Sequence, residues 1–369
     1  MVPATLIVVP CHDEARYLPD LIVALHTQLP AWPHWRAVLV DDASTDATPH
    51  LVDQAATHPQ IVAHHVQLRS PGGARSAGVA LATEPPHHAE PACAPACAPA
   101  SSGQLPRWII TTDADVSLPG DWVARWAEAL ARAEPDEAVG ALNGEEDQHH
   151  LLAPFPRASR LSAAFGTVAA RAEALVGVTN LNGVNHAVRL EAYHCCGPYL
   201  QPTAPGPYGP QHLAGEDWDL GIRLRLAGYR IDPVAVAVAD RGRRLLADLR
   251  AYLDGSAYEG PFRRVVGQQA PVDLGAEEVR ALWSASQQRA LRHFYAKPLL
   301  AQPALLEGPI GLRPETVARL RAWIERWPAP TFAESRNGFL YGRLGRFTDA
   351  FAEELLAELG LNEPAPEDL

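Results

Sequence analysis

The chain has 369 residues, 47% of them hydrophobic, and its 31 basic against 43 acidic side chains give a formal net charge of -12. That is apolar material for roughly two domains of about 150 residues, while the acidic balance excludes nucleic acid as a main partner and a broad electrostatic grip on anionic lipid. Five cysteines, with Cys195 and Cys196 adjacent, make no disulfide framework and read as reduced thiols in a cytoplasmic protein.

The first residues, TLIVVP from Thr5 to Pro10, predict a buried strand rather than a signal peptide. A polar CHDEA turn leads into the helical pattern YLPDLIVALHTQL. A second strand, Arg36 to Asp42, precedes ASTDATPHLVDQAA, whose Ser, Thr and Asp suit a helix N-cap. IVAHHV reads as a third strand, GGARSAGVALA as a helix opened by a Gly-rich turn, and Arg107 to Asp115 as a fourth strand. Alternation of this kind predicts an α/β fold, a mostly parallel central sheet flanked by helices. Its ligands are expected at the carboxyl ends of the strands, where His12, Asp13, Asp41, Asp42, Asp113 and Asp115 fall.

Between positions 84 and 106 a Pro- and Ala-rich stretch without apolar periodicity reads as a flexible surface insertion. Its His87, His88, Cys93 and Cys97 match no zinc spacing. From Asp121 to Arg189 two amphipathic helices bracket a strand, AVGALNG; GEDWDLGIRLRLAGYRI is a helix from Glu216 to Ala227 stopped by Gly228, and DPVAVAVAD is a strand. Helical patterns dominate beyond about Arg250, giving a C-terminal helical extension, and the final NEPAPEDL reads as frayed. No apolar run reaches the ~20 residues of a membrane span, so peripheral contact is as close to a bilayer as the sequence reaches.

Three acidic groups carry the chemistry. Asp113 and Asp115 stand two residues apart after an apolar strand. Mg²⁺ or Mn²⁺ wants such oxygens and commonly keeps phosphate ligands, whose charge needs neutralising when a diphosphate leaves; the plain alternative is two solvated aspartates. Asp41-Asp42 also ends a strand, suited to a base or ribose or simply to a helix N-terminus. Glu216, Asp217 and Asp219 open a helix, serving its macrodipole or supplying a general base for a hydroxyl nucleophile. Trp218 can stack on an acceptor sugar or pack in the core, and His186 faces the same choice. His149 and His150 read as surface residues. Arg241, Arg243 and Arg244, in DRGRR, can close over a diphosphate or line a solvated face.

The ordered set PCHDE, DDASTD, GGARSAG, TTDAD, GVNHAVR and GEDWDLGIRLRLAGYRI resembles glycosyltransferase family 2, from about Leu6 to Ile231. The resemblance implies a GT-A type fold, with the transferase domain at 1–245 (a nucleotide-binding half at 1–115 and an acceptor half at 116–245) and a helical region at 246–369. Pro10, His12, Asp13 and Glu14 then match the family's nucleotide-holding loop, Asp42 its nucleoside contact and Arg75 the basic residue of its A-R-N-x-G segment. Serine at 76 departs from that segment's Asn. Asp113 and Asp115 match the D-x-D motif, with Asp115 the closer metal ligand, and Gly183 to Arg189 the acceptor-side segment. Glu216 and Asp217 match the E-D pair, with Asp217 the base. The implied reaction is metal-assisted, single-displacement transfer, with inversion, from a nucleotide-diphosphate sugar, UDP favoured, to an unidentified hydroxyl on a glycan, a lipid-linked intermediate or a small molecule. The competing readings are a non-catalytic nucleotide-binding or scaffold protein and a nucleotidyltransferase; the latter lacks its Gly-rich, basic first loop here.

Overall fold

The computed structural model describes residues 2–83, 105–200, 203–206, 209–212, 215–242, 248–254, 272–308, 311–326, 351–352 and 355. The chain divides into two compact units that interleave in sequence. One comprises Met1–Glu146, Leu181–Tyr199 and Asp232–Asp240, the other Asp147–Asn180, Leu200–Ile231 and Arg241–Leu369.

The first unit is built on β1 (Thr5–Cys11), β2 (Trp35–Asp42), β3 (Ile61–Val66), β4 (Trp108–Thr112), β5 (Val116–Ser117), β6 (Val139–Asp147) and β7 (Asn185–Arg189). The short pair β8 (Thr203–Gly206) and β9 (Gly209–His212) forms a sheet of its own, and β10 (Arg230–Asp240) returns to the main one. That main sheet has eight strands in the order β3-β2-β1-β4-β7-β6-β10-β5. Pairing is parallel from β3 through β4, as the strand-helix alternation predicts. The pairs β4–β7, β6–β7 and β10–β5 are antiparallel, so the parallel expectation holds for β1 to β4 and not for the rest of the sheet. The reason is connectivity, since a βαβ crossover returns a strand in the same direction only while strand and helix alternate singly.

Helices α1 (Leu18–Gln28), α2 (Thr48–Ala55), α3 (Pro71–Thr83), α4 (Trp122–Ala133) and α7 (Leu190–Cys196) complete this unit. β1 is buried at every position but Pro10, which explains its unbroken apolar run. Trp122 and Trp126, one turn apart on α4, lie in the same core as Ile7, Val9, Leu39 and Ile110. Both indoles donate to Asn185 Oδ1, at 3.2 and 3.1 Å. The Asn185 amide in turn donates to Val236 O at 2.6 Å and Glu145 O at 3.1 Å. This wholly buried side chain thus uses all four of its hydrogen-bonding positions, tying α4, β6, β7 and β10 together. On the other face, Gly78 of α3 lies so close to β1 and β2 that a Cβ would sit 2.6 Å from Val8 Cγ1 and 2.9 Å from Val40 Cγ2. The glycine of the A-R-S-A-G segment is therefore a packing requirement, and it sets the height at which Arg75, one turn earlier, meets the strand ends.

The second unit contains α5 (His149–Leu152), α6 (Pro156–Val176), α8 (Glu216–Leu226), α9 (Leu249–Asp254), α10 (Ala276–Ala290), a π-helical turn at Leu291–Ala296, α11 (Lys297–Ala301) and α12 (Pro314–Arg326). α6 ends on Gly177, whose φ of 71° is the left-handed stop that glycine permits. Ala172 and Val176 of α6, Ile222 of α8, Leu299 and Leu300 of α11 and Trp323 of α12 share one core. Phe155, Leu161, Tyr252 and Trp283 belong to a second. The predicted helical character beyond 250 is present in the described stretches. The 84–106 insertion lies outside the described residues except Leu105 and Pro106, and the last predicted helix, 349–359, is described only at Phe351, Ala352 and Leu355, all buried.

Candidate functional site

The carboxyl ends of β1, β2 and β3 each pass into a turn containing a non-glycine residue with left-handed φ: Asp13 at 55°, Ala43 at 59° and Arg69 at 51°. Such conformations persist where surrounding bonds hold them, and here those bonds run between the turns. Asp13 N donates to Ser44 Oγ at 3.0 Å, and Asp13 Oδ1 accepts from Thr45 N at 2.7 Å. Glu14 N donates to Thr48 Oγ1 at 2.7 Å, Ala15 N to Asp46 Oδ2 at 3.1 Å, and His12 Nδ1 lies 2.7 Å from Asp42 O. The PCHDE and DDASTD segments are thus one interlocked rim, with the His12 side chain 53% exposed upon it.

Asp42 is buried, and its carboxylate accepts from Leu68 N at 2.6 Å, Arg69 N at 2.7 Å and Ser70 N at 2.6 Å. The expectation of a side-chain contact from Asp42 to a nucleoside meets a carboxylate already committed to backbone; what it does here is fix the loop that leads into α3. Asp41, pointing to the other face of β2, has Oδ2 3.2 Å from His65 Nδ1, while its Oδ1 is buried without a hydrogen-bond partner. Neither His65 nor the role of Asp41 was predicted, because their meeting depends on the β2–β3 register, which pairs them directly.

Arg75 is 3% exposed. It donates from Nε to Thr111 Oγ1 at 3.1 Å, and from Nη2 to Asp113 Oδ1 at 2.6 Å and to Gly183 O at 3.3 Å. The predicted basic residue therefore meets the predicted D-x-D motif directly. Asp113 and Asp115 are half-buried on either side of buried Ala114. The buried Cys11 thiol is held well above its ordinary range, first by burial and then by the charges of Glu14, Asp41, Asp113 and Asp115. Two carboxylates so placed, Asp113 and Asp115, are the oxygen donors a hard divalent cation takes. Among the described residues no three His, Cys, Asp or Glu side chains group to hold a metal by themselves.

The segment from Gly183 to Arg189 turns its polar side chains into the scaffold. Asn185 and His186 are wholly buried and Arg189 is 4% exposed. Arg189 donates to Val139 O at 3.1 Å and Asp136 O at 3.0 Å, and its guanidinium lies 4.6 Å from the Trp108 ring centre. His186 Nδ1 is 2.6 Å from Asn182 O and Nε2 is 2.8 Å from Tyr199 Oη. The carbonyl requires the proton on Nδ1, leaving Nε2 to accept from the tyrosine. Burial, then the nearby Arg75 charge, lowers the His186 pKa to about 3. The core reading of His186 is the one its surroundings support. Its folded pKa lies below the unfolded 6.5, so the unfolded chain binds the extra proton between the two values. Stability is accordingly expected to fall as pH drops from about 6.5 towards 3, and this limb should flatten in His186→Gln, as read by urea unfolding at stepped pH. Ser76, where the resemblance implied Asn, donates to Tyr199 O at 3.3 Å and accepts from Tyr193 Oη at 3.3 Å, which gives it a bracing role in the same cluster.

In the second unit, α8 starts behind Gly215, at φ 98°. Asp219 and Arg223 are both fully buried and paired at 2.9 Å, Glu216 is 8% exposed, and Asp217 is half-buried. Of the three acids in this turn, Asp217 keeps the most access. The Trp218 and Phe294 rings pack 5.6 Å apart, so a ring of its own unit takes part of the half-buried Trp218 surface. Arg243 and Arg244 lie outside the described residues; Arg241 is described and half-buried.

Residues 6–165 match the family model described as Glycosyl transferase family 2. The succinoglycan biosynthesis protein ExoA of Rhizobium meliloti (strain 1021) is 28% identical over 229 residues, 62% of this chain and 60% of that protein. Among solved structures, a mannosyltransferase from Pyrobaculum calidifontis in complex with GDP-Man and Mn²⁺ aligns over 98% of this chain and 88% of its own, at 17% identity and a TM-score of 0.47. S. aureus TarS 1-349 aligns over 92% and 91%, at 11% identity and 0.42. Among the described residues no helix is long and apolar enough to cross a membrane. The likeness to glycosyl transferase family 2 thus lies in residues 6–165, which match that family's domain model.

Proposed function

We propose that this protein transfers a sugar from a nucleotide-diphosphate sugar to an acceptor hydroxyl, with inversion at the anomeric carbon, and that the transferase domain runs through residue 245. The observation that carries the proposal is the Asp113-Ala114-Asp115 pair just past the end of parallel strand β4, with Arg75 locked onto Asp113, in a segment that matches the family 2 model. The interlocked rim around His12, Asp13 and Glu14 receives the nucleotide, and Pro10, at the end of β1, shapes its floor. Asp115 and Asp113 would hold Mg²⁺ or Mn²⁺, which when bound neutralises charge on the leaving diphosphate. Asp217 takes the proton of the acceptor hydroxyl as its oxygen forms a bond to the anomeric carbon. The bond from that carbon to the diphosphate oxygen breaks on the opposite side, and nucleoside diphosphate departs with the electron pair. Glu216 supports Asp217, Trp218 borders the acceptor, and Arg243 and Arg244 attend the diphosphate.

Titration calorimetry with UDP and with GDP, each with and without Mn²⁺, tests the donor side. Metal-dependent binding of one of them, lost in Asp115→Asn, is the expected result; binding indifferent to both metal and variant would sink the metal-assisted reading. A screen of nucleotide-sugars for slow hydrolysis then separates an enzyme from a binding protein.

A further inference from the structure

The acids that end β2 leave the strand on opposite faces. Asp42 fixes the 68–70 loop on one face. On the other, Asp41 Oδ2 lies 3.2 Å from His65 Nδ1, and His65 Nε2 lies 3.0 Å from Asp53 Oδ1 on α2. The imidazole thus bridges two carboxylates that come from different elements. A neutral imidazole has one N–H and can serve only one of them, whereas the imidazolium donates to both. The two acids are not equivalent, for the Asp41 side chain is 7% exposed and that of Asp53 is 64% exposed. A buried carboxylate that loses its donor costs far more than a solvated one, so a neutral His65 keeps Asp41 and lets go of Asp53 and α2.

α2 matters to the rim because its first residue, Thr48, holds the Glu14 amide. β2 matters because Asp42 follows Asp41 directly and its carbonyl takes His12. We infer that His65 is a positioning residue for donor binding: in its doubly protonated form it locks α2 to the end of β2, and so sets the rim formed by His12, Asp13 and Glu14. The inference rests on the reading of that rim as the nucleotide site.

The groups that face His65 are Asp41 from β2, Asp53 from α2 and neighbouring His64 on β3. Burial opposes the proton, but the hydrogen bonds and charges of the two acids outweigh it, so its pKa stands above 6.5. The lock is therefore present at lower pH and lost as pH rises through the raised pKa of the folded state.

The test is calorimetric titration of the wild-type protein, His65→Gln and Asp53→Asn with UDP and with GDP in the presence of Mn²⁺, from about pH 6 to about pH 8.5, a range spanning histidine titration. The ratio of wild-type to variant affinity is read, so that the titration of the nucleotide itself cancels. The expected ratio is about fivefold or more at the acid end, the lower range of coupling between linked sites, and it closes towards one at the alkaline end for both variants. A ratio of one throughout overturns the inference while leaving the glycosyltransferase reading intact. A ratio that does not vary with pH also overturns it, as it would mark His65 as merely structural. A wild-type protein that binds neither nucleotide at any pH overturns both. Asp53, being largely exposed, keeps the test decisive should His65→Gln fold poorly.

Discussion

Asp217→Asn is expected to lower kcat for sugar transfer by about 10²- to 10⁴-fold, the range that a positioned general base contributes, with nucleotide affinity unchanged. The argument begins with the first turn of α8, where three carboxylates sit within four residues. Asp219 is excluded as the base because it is fully buried and paired with Arg223; breaking that pair would cost about 3–5 kcal/mol and so act through folding. Glu216 is buried. Asp217 retains access, and asparagine keeps its shape while removing the oxygen charge that accepts a proton. The decisive comparison sets Asp217→Asn beside Asp219→Asn. The first should keep the wild-type unfolding midpoint and lose turnover, and the second should lose the midpoint. Transfer by Asp217→Asn at the wild-type rate would dismiss it as the base.

The parts of the fold legible in the sequence are those in which local pattern and tertiary role coincide. β1, β2 and β4 read as unbroken apolar runs because they lie inside a covered sheet, and α4 shows its buried face through Trp122, Trp126 and Leu130 at helical spacing. In the antiparallel half β6 and β10 read as strands, but their direction and β7 were not legible. NHAVR has no alternation to reveal β7, since Asn185 and Arg189 are buried polar residues satisfied by partners about 50 positions away. The same holds at the site. Asp113 with Asp115 announces itself by spacing after a strand. Asp42 does not disclose that its carboxylate is occupied by the 68–70 backbone. Nor does Asp41 disclose His65, because a register between strands is a property of pairing and leaves no mark in either strand alone.

Arg75→Met is expected to cost about 3 kcal/mol of stability and to weaken nucleotide binding together, because one guanidinium serves both. Breaking a fully buried pair costs about 3–5 kcal/mol; the Arg75 side chain is 4% exposed but that of its partner Asp113 is 29% exposed, which sets the lower end. Methionine fills much of the same volume yet leaves Thr111, Gly183 O and Asp113 without their donor, so α3, the end of β4 and the 181–184 segment lose a shared anchor. Arg75→Lys separates charge from geometry. A lysine restores a cation but cannot present the planar fork that reaches a hydroxyl, a carboxylate and a carbonyl at once, so it should recover part of the binding and less of the stability. The double variant Arg75→Met/Asp113→Asn removes the stranded charge and should be more stable than Arg75→Met alone, the non-additivity expected of contacting residues. Urea unfolding of the wild type, these three variants and Asp113→Asn alone, with UDP and GDP titrations in parallel, checks each step. A double variant no more stable than Arg75→Met would show that the ion pair is not what holds this end of the sheet, and additive losses of binding would place Arg75 and Asp113 in separate tasks.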